Sequence, residues 1–313
     1  MGFDVVRGHA RLTFALILSG LTACAQTPRV LVASDRSPVG GREALVVVQQ
    51  GEIRGDIVPS HVGQAAAAGA AAVPFIGILL AAAAGAAGGA ADASVNQHRA
   101  KLAEASATPI RNGLEGYDFD QRALDSTRGT LLGMGWLGVT QTSFSKVLTD
   151  NSLGAFLDKS PAPEGLVAAY DYALTPDFSA LRVGAAVTIY SKAAPAGDPV
   201  AARLQLQNAK YHQVFRCDYP LAGADKNMDD NARLWAANHA AAARQALDLG
   251  LKCLSGLMQR GLEETPAQAA ALSRGAQIKA SGETGKLIEK SSAGTLLLDP
   301  TNAWVLVANT PSG

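Results

Sequence analysis

The sequence is poor in aromatics, in charge and in cysteine. Phe, Trp and Tyr make up 5% of its 313 residues, so a core must be built from Ala, Leu and Val. Charged residues are 17% of the chain and balance to a net charge of zero. No block of Lys or Arg forms a basic stripe, which argues against a nucleic-acid partner held through its phosphates. Catalytic signatures are missing too. There is no GxSxG elbow, and no Ser, His and acid trio that spacing singles out. Triads are defined by geometry, so a site assembled from distant residues stays open.

The metal and cofactor signals are equally thin. Past the first 24 residues the histidines are His61, His98, His212 and His239. None stands four residues from another, and none joins Cys or acid at ligand spacing. Gly133-Met134-Gly135-Trp136-Leu137-Gly138 matches GxGxxG, but a helix is expected before it and a strand after it. That is the reverse of a nucleotide site, so a helix-to-strand turn is the better reading. Asp225 to Asp230 begins like a calcium loop, but Asp230 and Ala236 stand where Gly and Glu are required. Helix capping explains those acids, as it does Asp118 and Asp120. No cofactor and no metal site is expected.

What is present begins with an address. Arg7 and Arg11 precede a ten-residue apolar run, Leu12 to Leu21, and the small residues Thr22 and Ala23 follow. This is the order of a secretory signal peptide over residues 1–23; a buried N-terminal helix is the alternative. Leu21-Thr22-Ala23-Cys24 resembles the lipobox of bacterial lipoproteins. The resemblance implies cleavage before Cys24, acyl chains such as palmitate on that residue, and attachment to the cell envelope. Ala25 in the next position implies the outer membrane, facing the periplasm, rather than the inner one. Several chains on one Cys anchor strongly, at roughly 0.8 kcal/mol per buried CH2.

Two cysteines then remain, Cys217 and Cys253. An oxidising compartment lets them pair, unless they are two separate buried thiols. Residues 24–42 read as a Pro/Gly/Ser-rich tether, and residues 43–64 as a β-hairpin region with Glu43 to Gln50 as one arm and Ile53 to Val58 as the other.

Residues 65–92 are mostly Ala and Gly. Between Ala65 and Ala91 stand only six large apolar residues, Val73, Phe75, Ile76, Ile78, Leu79 and Leu80. At ~0.3 to 0.6 kcal/mol each, they make insertion marginal. Phe75 to Ala91 as a helix would run ~25 Å, just short of a bilayer core. Gly69, Gly77, Ala81, Gly85 and Gly89 share one helical face, the pattern of a glycine zipper. A close-packed helix in or against a membrane, a buried pair of helices divided at Pro74, and a linker are the three readings.

Residues 93–313 read as an α+β periplasmic domain. Leu166, Ala168, Tyr170, Tyr172 and Leu174 alternate along one strand, and Leu181, Val183, Ala185, Val187 and Ile189 along the next. The turn at Thr175 to Ser179 joins them as an antiparallel hairpin, and a third strand within Arg203 to Tyr219 extends it to a meander. A long helix over about Asp229 to Glu264 should pack on this sheet through Trp235, Ala242, Ala246, Leu249, Cys253 and Leu257. Cys253 then faces the strands, and Asp248 stands four residues from Lys252, placed for an ion pair.

Two function classes follow. The first is a lipid-anchored envelope component that binds protein partners or itself. The second is an envelope hydrolase or ligand-binding lipoprotein with its site built across the fold.

Overall fold

The computed structural model describes residues 30–36, 40–58, 90–192 and 209–309. Its centre is the antiparallel meander β4 (Glu164–Leu174), β5 (Ala180–Ser191) and β6 (Tyr211–Pro220). Leu181, Val183, Ala185, Val187 and Ile189 are all fully buried on one face. Alternation puts these side chains together, and their burial contributes ~1.5–3 kcal/mol for each of the larger ones. The turn is locked by Asp177, whose carboxylate accepts from the Thr175 hydroxyl (2.9 Å) and the Ser179 amide (3.0 Å).

This meander lies within a larger mixed sheet. β1 (Arg42–Val48) runs parallel to β4 along its outer edge, and β3 (Val139–Ser145) runs parallel to β1. β2 (Arg54–Gly55) also pairs with β4, in parallel. The expected hairpin between the 43–50 and 53–58 segments is therefore corrected: both pair with β4 and not with each other. A side chain fills the gap between them. The Gln50 amide donates to Tyr172 O (2.7 Å) and accepts from Tyr172 N (3.2 Å), standing in for a strand residue. Beyond β6 the order is β10 (Trp304–Ala308), β9 (Gly294–Leu298), β8 (Glu283–Ser291) and β7 (Gln277–Ala280).

Helices cover both faces. α1 (Ala90–Gly113), α2 (Phe119–Gly133) and the long α4 (Met228–Glu263) lie on the Leu181–Ile189 face. α3 (Asp150–Lys159) covers Leu45, Val47, Val167 and Ala169 on the other face, and α5 (Pro266–Leu272) follows α4. α1 and α2 form the crossover from β1 to its parallel neighbour β3, and α3 leads from β3 to β4 on the other side of β1.

Of the two candidate caps, Asp118 caps α2 by accepting from Gln121 N (2.9 Å), and two expectations about α4 are corrected. Leu249 is 39% exposed; the buried stripe of α4 includes Leu247, Gly250, Leu251, Leu254 and Met258. A Cβ on Gly250 would sit 2.4 Å from Val183, so glycine sets how closely helix and sheet approach. Asp248 pairs with Arg122 (2.9 Å) and accepts from the Tyr117 hydroxyl (2.7 Å), not with Lys252. One feature of α4 has no sequence signal. It is interrupted at Ala237–Ala240, where Asn238, His239 and Ala240 adopt φ of 52°, 56° and 54°. Left-handed backbone costs a non-glycine residue ~1–2 kcal/mol. The turn is held by Arg244, which donates to His239 O (3.1 Å), Gly113 O (2.7 Å) and Glu115 O (2.9 Å).

The two ends of β4 differ. At the Glu164 end, Arg42 is fully buried and donates to Glu164 (2.8 Å), to Leu137 O (2.8 Å) and to Asp35 O. Arg36 reaches Glu263 O (2.8 Å) and Glu264 O (3.1 Å) at the end of α4. The opposite end lies ten residues on, ~33 Å at ~3.3 Å per residue. There Asp56 N donates to Leu174 O (2.9 Å), and Arg99 of α1 donates to Val58 O (2.8 Å). No helix among the described residues is long and apolar enough to cross a membrane.

Candidate functional site

An open cleft of about 460 Å3 lies toward the Leu174 end of β4. One wall is Gly51, Glu52 and Ile53, the link from β1 to β2; the other is the end of α1 and the loop after it, from Arg111 to Tyr117. Phe119, Tyr172 and Leu247 also line it. Alternation on β4 turns Tyr172 to the helix side, and Phe119 is the first residue of α2. Their rings lie 4.1 Å apart between centroids, tilted by 36°.

The polar groups of the cleft divide into engaged and open ones. Arg111 is engaged: Nε donates to Ile53 O (2.7 Å) and Nη2 to Glu104 (2.5 Å), which fastens one wall to the other. Glu52 stands 3.3 Å from Arg111, with its side chain 70% exposed. Glu115 and Asn112 are exposed. Tyr117 donates to Asp248, and its ring lies under Arg122 (4.7 Å) and Arg244 (5.8 Å). Burial pushes the Tyr172 hydroxyl up to about 12, and the nearby Asp120 and Glu52 carboxylates push the same way. Asp120 itself pairs with Lys146 (2.5 Å).

The strongly perturbed acids and the histidine lie elsewhere. Asp171 is raised to about 6 by burial, partly offset by Arg54 (3.3 Å). It belongs to a charged strip on the sheet face away from α4. There Arg182 and Arg216 pair with Glu283 (2.7 and 2.6 Å), and Asp218 lies 3.0 Å from Arg216. The Arg216 contacts are at ion-pair distance without hydrogen-bond alignment. Because Glu283 opens β8, this strip fastens the β7–β8 hairpin across the sheet. Glu264 is raised to about 7 by burial, against the pull of Arg260. His212 is lowered to about 4 by burial, with Thr188 Oγ1 3.0 Å from Nδ1.

The sequence-derived candidates fall out as follows. Cys24 and the small-residue positions Gly69, Gly77, Ala81, Gly85 and Gly89 lie outside the described residues, as does His61. Cys217 on β6 and Cys253 on α4 lie at disulfide distance, with Cα atoms 6.5 Å apart. Gly133 to Gly138 runs from the end of α2 through a 3-10 turn into β3, with Gly138 left-handed at φ 66°. Asn227 caps α4, and Asp229 and Asp230 occupy its first turn. His98 and His239 are exposed. No group of His, Cys, Asp and Glu among the described residues is arranged to hold a metal. The cleft was missed from sequence because its residues come from four separate segments, each with an ordinary local role. Comparison of the chain with protein-family models, with curated proteins and with solved structures finds no match.

Proposed function

We propose that this is a lipid-anchored cell-envelope protein that presents an α/β domain to protein partners. The lipobox-like Leu21-Thr22-Ala23-Cys24 carries the reading, and the contacts of residues 31–36 give it an orientation. Leu31 is fully buried, and Arg36 and Asp35 are held at the Glu164 end of β4. From Cys24 to residue 30 a chain reaches only ~20 Å, so acyl chains on Cys24 would keep that end close to a bilayer. The cleft then lies at the far end, available to the surrounding compartment. The Cys217–Cys253 pair suits an oxidising compartment such as the periplasm.

The chain leaves the described fold at Val58 and returns in α1, and Arg99 ties the two. A hydrolase reading has less support, since Asp171, Glu264 and His212 do not line the cleft. Fractionation of cells carrying the wild-type chain and Cys24→Ser tests the proposal. The wild type is expected in the envelope and the variant released. A variant that stays fully membrane-bound, or a wild type that is fully soluble, would sink it.

A further inference from the structure

We propose that the outer side of α1 around Val95 and Leu102 is the docking surface for the Ala/Gly-rich stretch of the same chain, which folds back on it as a helix over residues 75–87. The inference goes beyond the anchoring reading and does not depend on it.

α1 is apolar on two sides. On one, Ala103, Ala107 and Ile110 are buried in the main core. On the other, Val95, His98, Leu102, Ala105 and Pro109 recur at helical spacing, and all five are exposed. None of the five is Asp, Glu, Lys or Arg. A helix that is apolar on both sides belongs between two layers, and only one layer is among the described residues. Val95 is 43% and Leu102 49% exposed. Arg99 stands between them and donates to Val58 O (2.8 Å), and Val58 is itself 54% exposed.

The points where the chain leaves and returns name the occupant. It departs at Val58, level with Arg99, and returns at Ala90, the first residue of α1. Gly88 and Gly89 stand immediately before Ala90. Glycine ends helices, and a loop this short joins two antiparallel helices into a hairpin. Turning back at these glycines sets Ala82 level with Val95 and Phe75 level with Leu102. Phe75, Ile78, Leu79, Ala82 and Ala86 are spaced to form one apolar stripe, and it falls on the open side of α1. Gly77, Ala81 and Gly85 are then turned away from α1, where residues 59–73 can lie on them. The ends also close. Phe75 arrives one helical turn from Arg99, beside the point where Val58 departs, so residues 59–74 have only a short gap to span.

The test is cysteine crosslinking of the full chain in cells lysed without detergent, with membrane and soluble fractions both kept. A short bis-maleimide should join Phe75→Cys to Leu102→Cys within one chain, with the linked peptides identified by mass spectrometry. That link should form at least ~10-fold faster than one between Phe75→Cys and Glu104→Cys, because Glu104 is exposed on the opposite side of α1. Both variants carry Phe75→Cys, so a loss of fold at that position cannot create the difference. Leu102→Asp should lower the melting temperature of the purified full chain by ~4 °C or more, since docking would bury its charge. Equal rates at positions 102 and 104 would overturn the docking, as would a link found only between two chains. So would no link at either position, the result expected if the stretch lies in a bilayer, or an unchanged melting temperature. The link is read in whichever fraction holds the chain, so its failure is separate from a failure of the anchoring reading.

Discussion

Arg42 and Arg111 both tie a backbone carbonyl to a carboxylate, in different surroundings. Arg42 is fully buried and faces a Glu164 side chain that is 4% exposed. Arg111 is 18% exposed, and its partners Glu52 and Glu104 are 70% and 49% exposed. The first bridge joins the segment before β1 to the start of β4; without it Glu164 and Leu137 O would each lose a donor in a buried site. The second joins the two walls of a cleft that water reaches. Burial is what separates a contact that specifies the fold from one whose groups water can serve instead.

Substitution at the two positions should break this parallel. Arg42→Met leaves Glu164 charged, buried and short of a partner, although Lys210 lies 2.5 Å from its other oxygen. A loss of ~3–5 kcal/mol in urea unfolding is expected. Removing the covalent link by Cys217→Ala with Cys253→Ala should cost less, ~2–4 kcal/mol, by releasing the unfolded chain. That loss should match the effect of a reductant on the wild type. Equal stability with and without reductant would show that the pair is not bonded.

Glu264 gives a smaller, pH-dependent effect at the same end as Arg42. Its carboxyl titrates near 4.5 when unfolded and is raised to about 7 in the fold. Between those values the unfolded chain has released a proton that the folded one still holds. Stability contributed by the neutral form is therefore complete below about 4.5 and declines as pH rises toward 7. Glu264→Gln should remove that decline, seen as a flatter melting temperature from pH 5 to 8. A variant that melts in parallel with the wild type throughout would contradict the assignment. Arg111→Met should do least, under ~1 kcal/mol in the same urea experiment. A loss as large as that of Arg42→Met would show that the cleft walls are part of the core.

The central meander was legible because strict alternation over residues 166–174 and 181–189 leaves few other ways to bury Leu181, Val183 and Val187. The helical stripe turned Cys253 toward the strands, but its approach to Cys217 stayed open until the fold set their Cα atoms 6.5 Å apart. Parallel pairing of β1 and β2 with β4 was not legible, since nothing local to residues 42–55 names a partner more than a hundred residues away. The break in α4 was hidden because Asn238, His239 and Ala240 are neither Gly nor Pro; contacts from Arg244 hold it. The cleft was hidden for a related reason. Tyr172 reads as one of an alternating strand face and Glu52 as part of an expected hairpin, and only the fold brings them beside Arg111 and Tyr117.

The proposed anchoring through Cys24 is the central claim, because it would place the Glu164 end of β4 toward the bilayer and the cleft away from it. Mass spectrometry of the N-terminal peptide from the protein isolated from cells tests it most directly. The account predicts a chain that begins at Cys24 and carries acyl chains. An unmodified Cys24, or a chain that still begins at Met1, would contradict it.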